Sequence, residues 1–238
     1  MPLVLDIETL PTEAALTAPY PEDRQPPANY KSPETIAKWR ETDREKWAEE
    51  RVKKASLNPR LCRVLCLGWA VVTEDDGVVT DRGVFYAEHP EQEAELLVNF
   101  WRMVAAHDGN VVTWNGGWDL RVLTLRSAMH DVLPSVGAHH ISLWQKKYRT
   151  APHFDVKAVL LNWDVMQSGE GLSEWAAFFG VPGKTDGLSG KDVYPLFQGG
   201  MHDEIAEYCL ADVLATAAIY GKVRDYFGAP AHHYAEEV

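Results

Sequence analysis

The N-terminal stretch Leu3–Leu10 constrains the fold most, because it combines the pattern of a buried strand with two carboxylates, Asp6 and Glu8. Side chains alternate between the two faces of a strand, so these two acids share one face. Leu5 and Ile7 then point the other way, into a core. Two adjacent carboxylates repel each other unless a positive charge lies between them, and a divalent cation is the usual one. A solvated strand end with two unrelated acids is the alternative that this short motif leaves open.

The composition is that of a folded globular protein, with 238 residues, 46% hydrophobic residues and nine tryptophans. No apolar run approaches the roughly 20 residues of a membrane-spanning helix, and the start of the chain lacks the pattern of a signal peptide. Cys62, Cys66 and Cys209 match neither a disulfide framework nor a zinc site. We therefore expect a soluble, cytoplasmic protein without membrane partners.

The formal net charge of −12 argues against a protein that coats nucleic acid non-specifically, because such proteins are normally basic. It does not argue against an enzyme that acts on nucleic acid. Acidic metal ligands contribute to the balance, and binding can depend on local basic patches.

Residues from about 11 to 58 lack a core pattern and are predicted to form an insertion after the first strand. The segment opens with prolines, which favour an irregular path, and Ser32-Pro33-Glu34 then predicts the start of a helix that continues to about Ala55. Basic residues are frequent along it. One interpretation is a solvated surface helix with charge pairs four residues apart. The other is a lid or arm beside Asp6 and Glu8 that contacts a phosphate backbone.

Strand and helix patterns alternate in the rest of the first half. The predicted elements are a buried strand over residues 63–72, a turn at Asp75-Asp76-Gly77, an antiparallel strand over 83–87, a helix over 91–107, a strand over 110–115 and a helix over 118–130. This order predicts an α/β fold with a mixed sheet. No repeat or linker divides the chain, so we expect one domain over residues 1–238 that contains the insertion.

A second informative stretch is the strand-to-helix junction Asn115-Gly116-Gly117-Trp118-Asp119. Two glycines allow the backbone to turn sharply or to approach a ligand closely. Asp119 falls in the first turn of the following helix. Taken alone, its simplest role is to complement the positive end of that helix.

The pattern is weaker between about Asp131 and Phe154, where His139-His140 is predicted to lie in a loop. Beyond this stretch the predictions are a strand or helix entry at Asp155–Leu161, a helix over Leu172–Phe179 ended by Gly180 and Pro182, and a loop over residues 183–190 with Lys184. Trp144–Arg149 mixes aromatic and basic side chains. It is interpreted either as a plain surface loop or as a site of base stacking and phosphate contacts.

The last long helix is predicted from about Asp203 to Tyr226. It places Tyr208 and Asp212 four residues apart, as neighbours on one face. Asp212 lies among apolar residues, which is unusual unless that face meets a cation or water. A tyrosine hydrogen-bonded to an aspartate within a helix is the simpler alternative.

Taken in order, Asp6-Ile7-Glu8, Asn115–Asp119 and Tyr208-x-x-x-Asp212 resemble the three motifs of the tyrosine branch of the DEDD superfamily of 3′–5′ exonucleases. The chain is similar in particular to predicted exonucleases related to the proofreading domain of family-B DNA polymerases, and the resemblance covers nearly its whole length. Asn29–Ile36 also resembles an insertion of phage-type members. Trp118 departs from the phenylalanine or tyrosine usual before the second-motif aspartate, which bears on the fit of the substrate terminus.

This resemblance implies a ribonuclease H-like fold, a mixed sheet flanked by helices, and catalysis with two Mg²⁺ ions, for which Mn²⁺ substitutes. It implies that Asp6, Glu8 and Asp212 hold the water-activating ion. Asp6 would also bridge to the second ion, which Asp119 supports. Tyr208 would orient the attacking water through its hydroxyl group.

The implied substrate is single-stranded or frayed DNA, contacted by Thr9, Leu10, Asn115 and Trp118 near its 3′ terminus. An RNA-trimming exonuclease is the alternative within the enzyme class, because contacts to the 2′-hydroxyl are not readable from the sequence. A non-catalytic module of the same fold that docks onto a replication complex is the alternative outside it. The chain contains no polymerase domain, so a proofreading role would need a separate DNA polymerase or replication protein as partner.

Overall fold

The computed structural model describes residues 1–74, 77–164, 171–183 and 187–228. Its elements are β1 Leu3–Pro11, α1 Glu13–Thr17, α2 Pro33–Ser56, β2 Cys62–Val72, β3 Val79–Tyr86, a 3₁₀ turn Pro90–Gln92, α3 Glu93–Ala106, β4 Val111–Thr113, α4 Gly116–Met129, α5 Ala138–Trp144, β5 His153–Asp155, α6 Val156–Leu160, α7 Leu172–Phe179, α8 Val193–Gln198 and α9 His202–Phe227. They form two compact units, one of residues 1–8 with the described residues from Val64 onward, the other of residues 9–63. The single-domain organisation stays a prediction.

A five-stranded mixed sheet in the order β3-β2-β1-β4-β5 forms the centre of the fold. β1 pairs with β4, and β4 pairs with β5, in parallel, whereas β2 and β3 form an antiparallel pair. Helices flank the sheet. The predicted α/β class and the ribonuclease H-like arrangement are confirmed.

Burial follows the hydrophobic pattern of the strands. Leu3, Val4 and Leu5 on β1 are fully buried, and almost every residue of β2 is buried, as its continuous apolar run predicted. Cys62 and Cys66 are free thiols packed in the core. The buried sheet therefore positions the polar side chains that lie on its strands or directly after them.

The longest element of the unit of residues 9–63 is α2. The hydroxyl group of Ser32 accepts a hydrogen bond from the Thr35 amide and caps the helix, as predicted. Lys54 and Glu50 form an ion pair four residues apart, 2.8 Å between Nζ and Oε2, which fits the surface-helix interpretation. Contact between this helix and a phosphate backbone stays a prediction.

Three short helices, α1, α5 and α8, were missed by the sequence patterns. They have five to seven residues, too few for a 3.6-residue period to become visible. His139 and His140 lie within α5, so their assignment to a loop was wrong. His140 Nε2 lies 3.0 Å from the carbonyl oxygen of Gly109. The predicted turn residues Asp75 and Asp76, the loop residue Lys184 and the C-terminal tail lie outside the described residues.

Other boundaries moved by a few residues. β3 begins at Val79, before the predicted 83, and β4 is limited to Val111–Thr113. The predicted helices at 172–179 and 203–226 are confirmed, and Gly180 ends the first of them with a left-handed φ of 63°. None of the helices in the described ranges is long and apolar enough to cross a membrane.

A buried ion cluster connects α3, α4 and β2. Glu93 accepts hydrogen bonds from Arg126 Nε at 2.8 Å and from the Val64 amide at 2.8 Å, and His130 Nε2 lies 2.9 Å from its other oxygen. Burial alone would raise the pKa of Glu93, but the hydrogen bonds from Arg126, Val64 and His130 outweigh it and hold the pKa below 4.5. Glu93 is therefore ionised in the folded protein at neutral pH, and its contacts with Arg126, Val64 and His130 stabilise the fold.

We expect Glu93→Gln to lower the free energy of unfolding by about 3 kcal/mol at neutral pH, because it leaves the buried Arg126 guanidinium without a counter-charge. Since the pKa of Glu93 is lowered by folding, the stabilisation is present above the unfolded carboxyl pKa and is lost as the pH falls through the folded value. Urea unfolding should therefore show a difference between wild type and variant that shrinks in acid. Glu95→Gln, an exposed site on the same helix, is the control; equal effects of the two substitutions would contradict this account.

Candidate active site

Asp6, Glu8 and Asp212 form a carboxylate cluster in which one oxygen of each lies within 4.8 Å of the others. Asp6 and Glu8 lie on β1, the middle strand of the sheet, and Asp212 lies on α9. Glu8 and Asp212 are buried and Asp6 is half-buried. The structure thus brings together one residue pair from the start of the chain and one residue from its last helix.

Gly68 on β2 allows α9 to approach the sheet this closely. A Cβ atom at this position would lie 3.0 Å from Cys209 Sγ and 3.0 Å from Val213 Cγ2. Cys209 itself lies against β1, with its thiol 3.7 Å from the carbonyl oxygen of Asp6. Cys209 was not predicted to be near the site, although it lies three residues before Asp212 on the same helix.

Asp119 lies in the first turn of α4 and is 4% exposed. It is not part of the three-residue cluster, but it is close enough to interact electrostatically with Asp6. Burial raises its pKa well above the ordinary value, and the charges of Asp6 and Asp155 raise it further. Within the described part of the chain, its Oδ2 atom has no hydrogen-bond partner. A buried carboxylate oxygen without a donor is costly unless a cation meets it.

The turn before Asp119 requires glycine at one of its two glycine positions. A Cβ atom on Gly116 would lie 2.3 Å from both His153 Nε2 and Thr113 Oγ1, whereas one on Gly117 would meet nothing within 4 Å. His153 is held from both sides, with Nε2 2.8 Å from Thr113 Oγ1 and Nδ1 2.8 Å from the Trp144 carbonyl oxygen. Gly116 therefore packs against a fixed wall, and this packing positions the start of α4.

Asp155 fixes the same turn from the neighbouring strand. Its carboxylate accepts hydrogen bonds from the Ala158 amide at 2.9 Å, which caps α6, and from the Gly117 amide at 3.4 Å. Burial raises its pKa. Asp155 was not predicted from the sequence to be part of the site. An aspartate directly before the helical pattern Val-Lys-Ala-Val-Leu is a recognisable helix cap, but its contact with a second turn depends on sheet order.

Tyr208 lies one helical turn before Asp212 on α9, as predicted, and is 2% exposed. Burial is the largest cause that raises the pKa of its hydroxyl group, followed by the negative charges of Glu8, Asp212 and Asp6. A hydrogen bond to Asp212 raises it further. The phenol therefore stays protonated at neutral pH and donates to a carboxylate.

Of the four residues assigned to substrate contacts, two belong to each compact unit. Asn115 is exposed and Trp118 is half-buried at the turn before Asp119. In the unit of residues 9–63, the Thr9 hydroxyl donates to the Ser56 carbonyl oxygen at 2.7 Å, and Leu10 is buried. Their contact with a substrate stays a prediction.

The residues present fit a hard divalent cation. All donors in the cluster are carboxylate oxygens, the ligands that Mg²⁺ and Mn²⁺ prefer, and soft thiolate or imidazole ligands are not among them. The Asp119 oxygen without a donor adds a further ligand position beside Asp6.

The fold and the site define an α/β protein with an acidic, metal-compatible centre. The chain belongs to a family described as predicted 3′–5′ exonucleases related to the exonuclease domain of PolB, whose family model matches residues 56–237. This range contains Asp119, Tyr208 and Asp212 but begins after β1, so the position of Asp6 and Glu8 in the site comes from the structure. A comparison with curated proteins found no match.

We expect Gly116→Ala to destabilise the fold by about 2 kcal/mol or more, because the added methyl group overlaps two fixed side chains. Gly117→Ala, one residue later in open space, should be neutral or slightly stabilising, since alanine is the better helix former. Thermal unfolding followed by circular dichroism compares the two. Equal melting temperatures for the two variants would show that the turn does not pack as described.

Proposed function

We propose that this chain is a metal-dependent 3′–5′ exonuclease that removes nucleotides from single-stranded or frayed 3′ ends of DNA. Membership in the exonuclease family supports the reaction class. The observation that carries the proposal is the convergence of Asp6, Glu8 and Asp212 within 4.8 Å, with Asp119 beside them.

In this proposal Asp6, Glu8 and Asp212 would hold one divalent ion, and Asp119 and Asp6 would hold a second. When bound, such ions make a water nucleophilic at neutral pH and neutralise the charge that develops on the phosphate and on the departing oxygen. The carboxylates would keep the metal ions in a largely buried position, where electrostatic interactions are stronger than in water.

Tyr208 acts in this proposal as a positioning residue rather than as a base. Its raised pKa keeps the hydroxyl protonated, so it cannot accept the proton of the attacking water. The same hydroxyl can donate to Asp212 and accept from a water molecule. It would thus orient the water relative to the carboxylate cluster.

DNA is proposed over RNA on the family relationship to a DNA polymerase domain. No described contact identifies the sugar, because the 2′-hydroxyl would be recognised by groups that act only on bound substrate. RNA trimming and non-catalytic docking are therefore the two alternatives that the activity assay must distinguish from DNA cleavage.

Asp212→Asn should abolish hydrolysis, with a loss of at least about 10³-fold, because it removes one ligand charge without changing the shape of the side chain. In the absence of metal the variant should be as stable as wild type or more stable, since one buried like charge is gone. The assay is shortening of 5′-labelled DNA and RNA oligonucleotides with Mg²⁺, with Mn²⁺ and with EDTA. Asp203→Asn, an exposed site on the same helix, is the matched control and should remain active.

A metal-dependent ladder from the 3′ end of DNA, absent in Asp212→Asn, is the expected result. Preference for the RNA oligonucleotide would replace DNA by RNA in the proposal. Undiminished cleavage by Asp212→Asn would assign the activity to another site, and a folded wild type without cleavage under either metal would favour the docking module.

Tyr208→Phe should lower kcat about 10- to 100-fold, the effect of losing one hydrogen bond to a charged or reacting group. Because the hydroxyl does not ionise near neutral pH, the pH dependence of kcat should keep its shape in the variant. A variant that loses a limb of the pH profile would instead identify Tyr208 as the titrating base.

A further inference from the structure

A cavity of about 480 Å³ lies at the carboxyl ends of β4 and β5, beside the candidate active site. Its walls include Asn115, Lys146, Lys147, Lys157 and Trp163. We call it the Trp163 pocket. Its volume is within the range of small-molecule sites and is large enough for one nucleotide unit.

The Trp163 pocket shares a wall with the active site. Asn115, Gly117 and Asp155 line it, and Asp155 accepts the hydrogen bond from the Gly117 amide that positions the turn before Asp119. Among the described residues that line the pocket, none belongs to the cluster of Asp6, Glu8 and Asp212. A group bound in the pocket would therefore lie beside the carboxylate cluster without displacing a metal ion from it.

The charge of the pocket is opposite to that of the protein. Three lysines, Lys146, Lys147 and Lys157, and two aspartates, Asp155 and Asp164, line it, so cations outnumber carboxylates there although the chain has a formal net charge of −12. Within the described ranges, none of these three ammonium groups forms an ion pair with a carboxylate. An excess of cations around one cavity favours a ligand with phosphate groups.

Trp163 supplies an aromatic surface in a backbone conformation that a bulky residue rarely adopts. Asn162 and Trp163 have φ angles of 50° and 61°. Left-handed backbone costs a non-glycine residue about 1 kcal/mol or more, and such strain is concentrated at binding and active sites. The Trp163 ring is half-buried and contacts Tyr148, with 5.7 Å between ring centroids.

Trp144, by contrast, is a rigid back wall of the pocket. It is 3% exposed, stacks on Trp101 with 5.9 Å between ring centroids, and donates its indole N–H to the Gly109 carbonyl oxygen. Residues 145–149 form an exposed loop, as the surface-loop interpretation predicted, whereas Trp144 is buried at the end of α5. Base stacking and phosphate contacts by this stretch stay a prediction. Its tryptophan is structural, and its two lysines line the pocket.

We propose that the Trp163 pocket holds a nucleotide of the substrate strand on the 5′ side of the scissile bond, with its base against Trp163 and its phosphate groups near Lys146, Lys147 and Lys157. This inference rests on the proposed exonuclease function. Aromatic stacking and phosphate contacts bind single strands without reading sequence, so the pocket would hold the strand while its 3′ end is cut.

The test compares two substrates that differ in whether they have a nucleotide to occupy the pocket. Thymidine 5′-(p-nitrophenyl phosphate) has none: water adds to phosphorus, the bond to the p-nitrophenol oxygen breaks, and p-nitrophenolate leaves. Oligothymidylate has several. The double variant Lys146→Gln/Lys147→Gln removes proposed phosphate contacts, and the single variant Trp163→Leu removes the proposed base contact. The matched control is Lys191→Gln/Lys222→Gln, in which both substituted lysines are exposed.

We expect the lysine double variant to raise KM for oligothymidylate about tenfold, and Trp163→Leu to have a similar effect. Hydrolysis of the nitrophenyl ester should be unchanged in both, and Trp163→Phe should restore most of the affinity. Equal losses on both substrates, or no loss on oligothymidylate, would overturn the pocket assignment. A wild type that hydrolyses neither substrate would instead contradict the proposed function.

A binding measurement keeps the two proposals separate. With EDTA present, no strand is cut, and the fluorescence anisotropy of labelled oligothymidylate reports binding alone. The slope of log K against log salt should fall by about 1.4 in the lysine double variant, the value for two lost phosphate contacts on a single strand. An unchanged slope, or displacement of the strand by millimolar thymidine 5′-monophosphate, would overturn the strand assignment in favour of no site or of a free-nucleotide site.

Discussion

Repulsion between buried carboxylates is the constraint on which the rest of the structure depends. Asp6, Glu8 and Asp212 have oxygens within 4.8 Å of one another. Burial raises the pKa of Asp119, and the charges of Asp6 and Asp155 raise it further. Like charges at such distances are costly in a protein interior unless a cation lies among them. The fold must therefore hold these groups together against their own electrostatics until the cation that they fit is bound.

A second buried acid shows what the same chemistry does when the protein supplies its own cation. Glu93 has a lowered pKa because Arg126, the Val64 amide and His130 outweigh its burial. Burial raises the pKa of Asp119, and the charges of Asp6 and Asp155 raise it further. Glu93 thus joins elements of the scaffold, and Asp119 is left poised for a ligand. Close packing at Gly68 and Gly116 gives the scaffold the rigidity that the acidic site requires.

The sequence predicted most of what local pattern controls. The strand carrying Asp6 and Glu8, the late helix carrying Tyr208 and Asp212, and the mixed sheet all follow from period and residue type. Features that depend on long-range contacts were not predictable. The residues around Asp155 indicate only a helix cap. Its contact with Gly117 exists because β5 pairs with β4. The Trp163 pocket likewise requires the short helices α5 and α6 to be placed beside the same sheet edge.

The most direct test of the central claim is a titration of the metal-free protein with Mn²⁺ at neutral pH, in which electron paramagnetic resonance measures the free ion. We expect saturable binding of two Mn²⁺ ions, competition by Mg²⁺, and weaker binding by Asp212→Asn. We also expect Asp203→Asn to bind as wild type does. A folded wild-type protein that binds no Mn²⁺ saturably, or an Asp212→Asn variant with unchanged affinity, would contradict the claim that these carboxylates form a metal site.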